Sequence, residues 1–192
     1  MAMVDQVLAE LRAFSEQHDA GETVHARRML NLEPESAELL GILLRALRPG
    51  RVLEIGTSNG YSTIVIADAI RGGGGRLVSI DRDAGKQEMA RRNLERAGVA
   101  EVVELRTGDA TGLVAQMDGP WDAVFFDADR VSAPEQLRLL VPRLAERALL
   151  VADNVLSHPE EIRGYVDAVE RLAGFRHVVV PIGKGLSVAM RG

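Results

Sequence analysis

The sequence predicts an α/β protein with a mostly parallel sheet and helices on both faces of that sheet. Short apolar runs alternate with segments whose apolar residues recur at helical spacing, which is typical of a parallel sheet covered on both sides. A glycine-rich turn follows the first run directly, as at the ligand-binding edge of open α/β sheets. Only residues 181–185 separate the last two runs. Because so short a link cannot carry a parallel crossover, this pair predicts an antiparallel hairpin.

The first 48 residues are predicted to form a helical cap. Apolar spacing predicts a helix over residues 4–14, and the polar stretch 18–33 predicts a loop. Pro34 opens a second helix, since proline is tolerated in the first turn, and Pro49-Gly50 ends it. We expect one domain over residues 1–192, with the cap at 1–48 and an α/β core at 49–192.

The core is predicted to alternate strands and helices. The expected strands are 52–55, 77–80, 102–105, 123–126, 148–152, 177–180 and 186–190. The expected helices are 62–70, 84–97, 111–117, 134–145 and one that includes 162–172.

Composition excludes several classes of function. The chain has no cysteine, so any metal must be held by Asp, Glu, Asn or His. A net charge of −5 argues against nucleic acid as the main partner. Apolar runs are too short to span a membrane, and the first residues lack the features of a signal peptide. We therefore expect a cytoplasmic protein.

The turn over residues 54–60 is the first candidate site. Gly56 and Gly60 would let the backbone approach a ligand closely, although a plain strand–helix turn is the alternative. The spacing is GxxxG, so the dinucleotide fingerprint is absent and a nicotinamide oxidoreductase is disfavoured.

Two aspartates follow the next strands. Asp81 suits the two hydroxyls of a ribose; the alternative is a helix N-cap, a role that Asp83 fits better. Asp109 could accept from an adenine amino group or could cap the helix after it. Since parallel strands end at one edge of a sheet, the turn and these two residues together predict a nucleoside site.

Asp127, Asp153 and Asn154 end the fourth and fifth strands and offer three oxygen ligands. Such ligands, without Cys or His, favour magnesium or calcium-like ions over zinc. The alternative is that Asp153 and Asn154 only cap the segment after them.

The motifs LEIGTSNGYS, SIDRD, GDA, FFDADR, ADNV and GKGLSVAMR, in this order, resemble those of class I O-methyltransferases of the catechol and caffeoyl-coenzyme A type. The resemblance covers residues 29–191 and implies a Rossmann-like, seven-stranded sheet with an antiparallel last strand, S-adenosylmethionine as cofactor, and a homodimer. It implies that the residues at the cofactor are Glu54, Gly56, Ser62, Asp81, Asp109, Ala110 and Asp127. We expect the adjoining residues of the same turns to bind it as well, namely Thr57, Ser58, Gly60, Arg82 and Gly108. The resemblance also implies that Asp127, Asp153 and Asn154 bind a divalent cation, usually Mg²⁺, and that Met29, Leu30 and Asn31 cover the cofactor.

Arg130 departs from the pattern of this family, whose members commonly carry a lysine there as general base. Arginine stays protonated and cannot take a proton. Acidification by the metal could suffice, His158 could act as the base, or Arg130 could grip an anionic group of another substrate. The remaining alternatives are a solvated Arg130 and a His158 that is only a surface residue.

The sequence therefore predicts a metal-dependent O-methyltransferase acting on a small catechol-like or phenolic acceptor, with Asp127, Arg130 and His158 as candidate catalytic residues. Two alternatives stay open. One is a metal-independent methyltransferase of the same fold with another acceptor, such as a nitrogen, an isolated hydroxyl or an RNA base. The other is a non-catalytic module that binds the cofactor.

Overall fold

The computed structural model describes residues 2–192, so Met1 of the predicted cap lies outside the described part. Its centre is a seven-stranded sheet in the order β3-β2-β1-β4-β5-β7-β6. The strands are β1 Arg51–Ile55, β2 Arg76–Asp81, β3 Val103–Thr107, β4 Trp121–Phe126, β5 Leu144–Ala152, β6 Phe175–Val180 and β7 Leu186–Arg191. The first five strands pair in parallel, whereas β7 runs antiparallel to both β5 and β6. The predicted sheet and its antiparallel C-terminal strand are confirmed.

Helices cover both faces of this sheet. They are α1 Ala2–Gly21, α2 Pro34–Leu47, α3 Tyr61–Arg71, α4 Ala84–Ala97, α5 Ala110–Gln116, α6 Ala133–Leu140 and α7 Pro159–Glu170. None of the helices in residues 2–192 is both long and apolar enough to cross a lipid bilayer.

The apolar core has two halves, one on each face of the sheet. Because side chains alternate along a strand, Val52 of β1 joins one half and Leu53 joins the other. The first half contains Leu40 of α2 and Ile64 of α3, and the second contains Leu137 of α6. Burial on both faces explains why the strands are almost continuously apolar.

The helix predicted over residues 4–14 is too short. α1 continues to Gly21, and the predicted loop 18–33 also contains a 3-10 turn at His25–Arg27. The additional turns of α1 are polar, so an apolar stripe does not mark them. They are stabilised by local contacts, among them the stacking of Phe14 on His18 and a hydrogen bond from Ser15 to Asp19.

The helix predicted over 134–145 is too long. α6 ends at Leu140, a 3-10 turn covers Val141–Arg143, and β5 begins at Leu144. Pro142 explains the early end, because proline lacks the N–H that would continue the hydrogen bonding of the α-helix.

Candidate active site

The candidate site lies where the strand order reverses, between the carboxyl ends of β1 and β4. Ligands of open α/β sheets bind at such points. Gly56 follows β1 with φ +112°, and a Cβ there would lie 2.2 Å from the carbonyl oxygen of Asp127. Only glycine permits this close approach. Asp127 in turn donates its backbone N–H to Ile55, which joins the two strand ends.

A cavity of about 850 Å³ opens along this edge of the sheet. Most of the predicted site residues line it: Gly56, Thr57, Ser58, Ser62, Asp81, Arg82, Gly108, Asp109, Ala110, Asp127, Arg130, Asn154 and His158. The covering residues Met29, Leu30 and Asn31 line it as well. Glu54, Gly60 and Asp153 do not form part of the wall of this cavity.

Asp81 is fixed at the end of β2 by two backbone donors. The N–H of Ser58 donates to Oδ2 at 2.8 Å, and the N–H of Asp83 donates to Oδ1 at 2.9 Å. The hydroxyl of Ser58 donates to the carbonyl of Met29, so the glycine-rich turn also holds the covering segment. Asp83 caps α4, accepting from Gly85 and Lys86, as the sequence predicted.

Glu54 is fully buried behind the cavity wall. Its carboxylate accepts hydrogen bonds of 2.6 Å from the hydroxyls of Ser62, Thr63 and Ser79. Burial raises the pKa of Glu54 to about 7, although the three hydroxyls act in the opposite direction. Ser62 also lines the cavity, so it links the buried carboxylate of Glu54 to the cavity wall.

Asp109 and Gly60 have visible structural roles. Asp109 caps α5, since its Oδ2 accepts from the N–H of Gly112 at 2.7 Å. Gly60 precedes α3 with φ +90°, and a Cβ there would lie 3.2 Å from Ala90 of α4. The helix-cap alternative for Asp109 is thus realised, and the same residue also lines the cavity.

Asp127, Asp153 and Asn154 meet beside the cavity, and we call these three residues the acidic cluster. The side-chain amide of Asn154 donates to Asp127 at 3.2 Å and to Asp153 at 2.9 Å. Asn154 holds this position with φ +68°, which is unusual for a residue other than glycine. Asp153 is buried, and its Oδ1 has no hydrogen-bond partner within residues 2–192.

The carboxyl groups of Asp127 and Asp153 both have raised pKa values. Asp127 is partly exposed toward the cavity, yet burial raises its pKa well above the ordinary value, and the charges of Asp153 and Glu54 raise it further. Burial also raises the pKa of Asp153 to about 6. Both groups are therefore costly to ionise without a nearby cation.

This donor set suits a hard divalent cation. A half-turn of the Asn154 amide would present its oxygen, instead of its NH₂ group, to the space between the carboxylates. A pocket of about 10 Å³, the size of one water, lies against Asp127, Asp153 and Asn154. No cluster of three or more His, Asp or Glu side chains is placed to share an ion within residues 2–192. A cation held here would therefore need water or another oxygen ligand to complete its coordination.

The remaining candidates, Arg130 and His158, lie on the rim of the same cavity. Arg130 forms an ion pair with Glu161 of α7 through Nε at 2.9 Å and Nη2 at 2.8 Å. His158 is exposed at the start of α7, and its Nδ1 lies 2.9 Å from the hydroxyl of Ser157. Arg130 is thus not simply solvated.

Sequence reasoning missed Lys184 and Glu33. Lys184 lines the cavity, and its Nζ lies 2.6 Å from Oε1 of Glu33. The hairpin prediction contained a usable signal: β7 must begin beside the end of β5, which brings the loop 181–185 next to Asp153.

Comparison with known proteins agrees with this geometry. The family model described as O-methyltransferase matches residues 2–189. The chain is 33% identical to a catechol O-methyltransferase of Niastella koreensis over 131 residues, 66% of this chain and 59% of the relative. It is 41% identical to a catechol O-methyltransferase of Mycobacterium tuberculosis over 126 residues, 64% of this chain and 56% of the relative. The matches thus span less than two thirds of the length of these curated relatives.

A solved structure extends the likeness over nearly the whole chain. The O-methyltransferase TomG of Streptomyces achromogenes, crystallised in complex with SAM, superposes with a TM-score of 0.78 at 28% identity. The match covers 97% of this chain and 90% of TomG. The resemblance inferred from the motifs is confirmed, and the chain belongs to the O-methyltransferase family.

Proposed function

We propose that this protein is an S-adenosylmethionine-dependent O-methyltransferase that needs a divalent cation, most suitably Mg²⁺, and methylates a hydroxyl of a small catechol-like or phenolic acceptor. Two relatives named catechol O-methyltransferase support the class of acceptor. The structure of TomG with SAM supports the choice of cofactor.

The part of the cavity lined by Asp81, Asp109 and Ala110 suits the nucleoside of this cofactor. Asp81, fixed by two N–H donors, would accept from the ribose hydroxyls, and Asp109 with Ala110 would lie at the adenine. Gly56 would leave room for the backbone to contact the methionine part. Ser62, backed by Glu54, would complete that part of the wall.

Asp127, Asp153 and Asn154, the acidic cluster, would hold the cation. When bound, the cofactor supplies an electrophilic methyl group on a sulfonium, and the cation lowers the pKa of the hydroxyl that it contacts. The protein would supply mainly positioning and electrostatic stabilisation, which is most of what such a transfer requires. Arg130 cannot act as the base, so the proton must leave by another route.

One observation carries the proposal: Asp127 belongs both to the wall of the large cavity and to the acidic cluster. A cofactor in that cavity and a cation at that cluster would therefore be neighbours, and an acceptor oxygen bound to the cation would lie beside the methyl group. A site built only to bind the cofactor would not need the second cluster.

The test is methyl transfer from labelled S-adenosylmethionine to catechols and simple phenols, with Mg²⁺ or with excess chelator. We expect chelator to lower the rate on catechols at least about 100-fold, while calorimetry with S-adenosylhomocysteine stays nearly unchanged. Asp153→Asn should behave like chelator, and Asp167→Asn on the exposed face of α7 should not.

Other results would favour the alternatives. Full activity in chelator would favour a metal-independent methyltransferase with a different acceptor. Binding of S-adenosylhomocysteine without transfer to any acceptor would favour a binding module. The homodimer and the cytoplasmic location remain predictions that this experiment leaves aside.

A further inference from the structure

The loop between β6 and β7, residues 181–185, brings a lysine close to the acidic cluster. Lys184 is half-buried and lines the cavity together with Asp127 and Asn154. Because Ser187 of β7 pairs with Ala152 of β5, this loop lies beside the end of β5.

The glycines on either side of Lys184 fix its position. A Cβ on Gly183 (φ +56°) would lie 2.5 Å from the hydroxyl of Ser36, and a Cβ on Gly185 (φ +91°) would lie 2.5 Å from Cγ of Leu156. The loop is therefore packed tightly between the start of α2 and the segment after β5. The carbonyl of Lys184 also accepts from the backbone N–H groups of Leu156 and Ser157.

The ammonium group of Lys184 is held and kept charged by acidic neighbours. Burial alone lowers the pKa of Lys184, but the contact with Glu33 and the charges of Glu33, Asp153 and Asp127 together raise it above the usual value. An ammonium has three N–H donors, and Glu33 takes one. The other two are available to a ligand at this end of the cavity.

Arg130 is less suited to the same task. Its Nε and Nη2 both bind Oε2 of Glu161, which compensates its charge on the side of α7. Lys184 pairs with Glu33 through Nζ and, like Arg130, lies near Asp127 and Asn154. Arg130 and Lys184 thus differ in how many of their N–H groups are already bound to a carboxylate, two in Arg130 and one in Lys184.

We propose that Lys184 stabilises the ionised acceptor oxygen during methyl transfer, and that Glu33 is the positioning residue of Lys184. This inference rests on the proposed function. The acceptor hydroxyl gives its proton to water, and its oxygen then forms a bond to the methyl carbon. The bond from that carbon to the sulfonium sulfur breaks, and its electron pair stays on sulfur. Lys184 keeps its proton throughout and donates hydrogen bonds to the oxygen.

The first test compares two acceptors. Lys184→Gln should lower kcat/KM for catechol about 100-fold, as loss of one preorganised donor does. The loss should be clearly smaller for nitrocatechol, whose hydroxyl ionises far more readily. Lys184→Arg should restore much of the rate on catechol, and Glu33→Gln should lie between wild type and Lys184→Gln. Equal losses on both acceptors would mean that Lys184 acts only structurally, and would overturn the proposal.

The second test needs neither cofactor nor acceptor. Because the ammonium repels a cation held by Asp127 and Asp153, Lys184→Gln should bind Mn²⁺ about 10-fold more tightly than wild type. Arg163→Gln, which removes an exposed cation on α7, should leave Mn²⁺ affinity unchanged. Unchanged Mn²⁺ affinity in Lys184→Gln would contradict the placement of Lys184 on which the proposal depends.

Failure of the proposed function and failure of the role of Lys184 give different results. If wild type transfers methyl to no catechol or phenol, the proposed function fails and this inference fails with it. If wild type transfers methyl and Lys184→Gln keeps the acceptor preference of wild type, only the role of Lys184 is wrong.

Discussion

At the scale of single residues, the absence of a side chain at Gly56 decides how closely β1 and β4 approach. A Cβ there would meet the carbonyl oxygen of Asp127 at 2.2 Å and its carbonyl carbon at 2.7 Å. Both are backbone atoms, so neither can rotate away. Any larger residue must move Asp127, which lies on the cavity wall and in the acidic cluster.

We therefore expect Gly56→Ala to lower the free energy of unfolding by about 3 kcal/mol and to abolish measurable binding of S-adenosylhomocysteine. Gly72→Ala is the matched control. Gly72 has φ −66°, and a methyl group added there would have nothing within 4 Å, so its change should stay within about 0.5 kcal/mol. Urea denaturation and calorimetry measure both quantities. A Gly56→Ala variant with the stability of wild type would contradict the close approach.

At the scale of secondary-structure elements, local signals fixed some boundaries and tertiary packing fixed others. The helix predicted over 84–97 matches α4 to the residue, because Asp83 caps it and Gly98, with φ +65°, ends it. The polar end of α1 carries no such periodic signal, and its local contacts are visible only in three dimensions.

The same distinction applies to the candidate site. Asp81, Asp127 and Asp153 could be predicted, since parallel strands bring their carboxyl ends to one edge. Lys184 and Glu33 lie 151 positions apart in sequence by their numbers, and the packing of a hairpin loop on the start of α2 joins them. Neither a motif nor a period encodes such a contact.

The cap of α5 allows the two interpretations of Asp109 to be measured separately. Asp109→Ala should cost about 1 kcal/mol of stability, whereas Asp109→Ser should cost less than about 0.5 kcal/mol, because serine can also accept from the N–H of Gly112. If the carboxylate also contacts adenine, both variants should lose affinity for S-adenosylhomocysteine by about 10-fold. If Asp109→Ala loses stability and neither variant loses affinity for S-adenosylhomocysteine, Asp109 acts only as the helix cap.

At the scale of the whole molecule, burial of acidic groups makes folding depend on pH. Burial raises the pKa of Glu54, Asp127 and Asp153, so the folded chain holds protons that the unfolded chain has released. The contribution of these three groups to stability should therefore be lost as pH rises from the ordinary pKa of a carboxyl group through the raised values of the folded chain. This direction is opposite to that of a carboxylate whose pKa is lowered by an ion pair.

Glu54 isolates one part of this effect. Folding raises its pKa from 4.5 to about 7. The contribution of protonated Glu54 to stability is therefore complete below pH 4.5, and it is lost as the pH rises through about 7. Between about pH 5 and about pH 7.5, this residue should reduce the free energy of unfolding of wild type by about 2 kcal/mol. Glu54→Gln stays neutral, and its stability should decline with pH by that much less. Glu88→Gln, on the exposed side of α4, should follow the profile of wild type. Parallel profiles for wild type and Glu54→Gln in urea unfolding would show that Glu54 ionises as readily in the folded chain as in the unfolded one, and that its three hydroxyl donors offset the cost of burial.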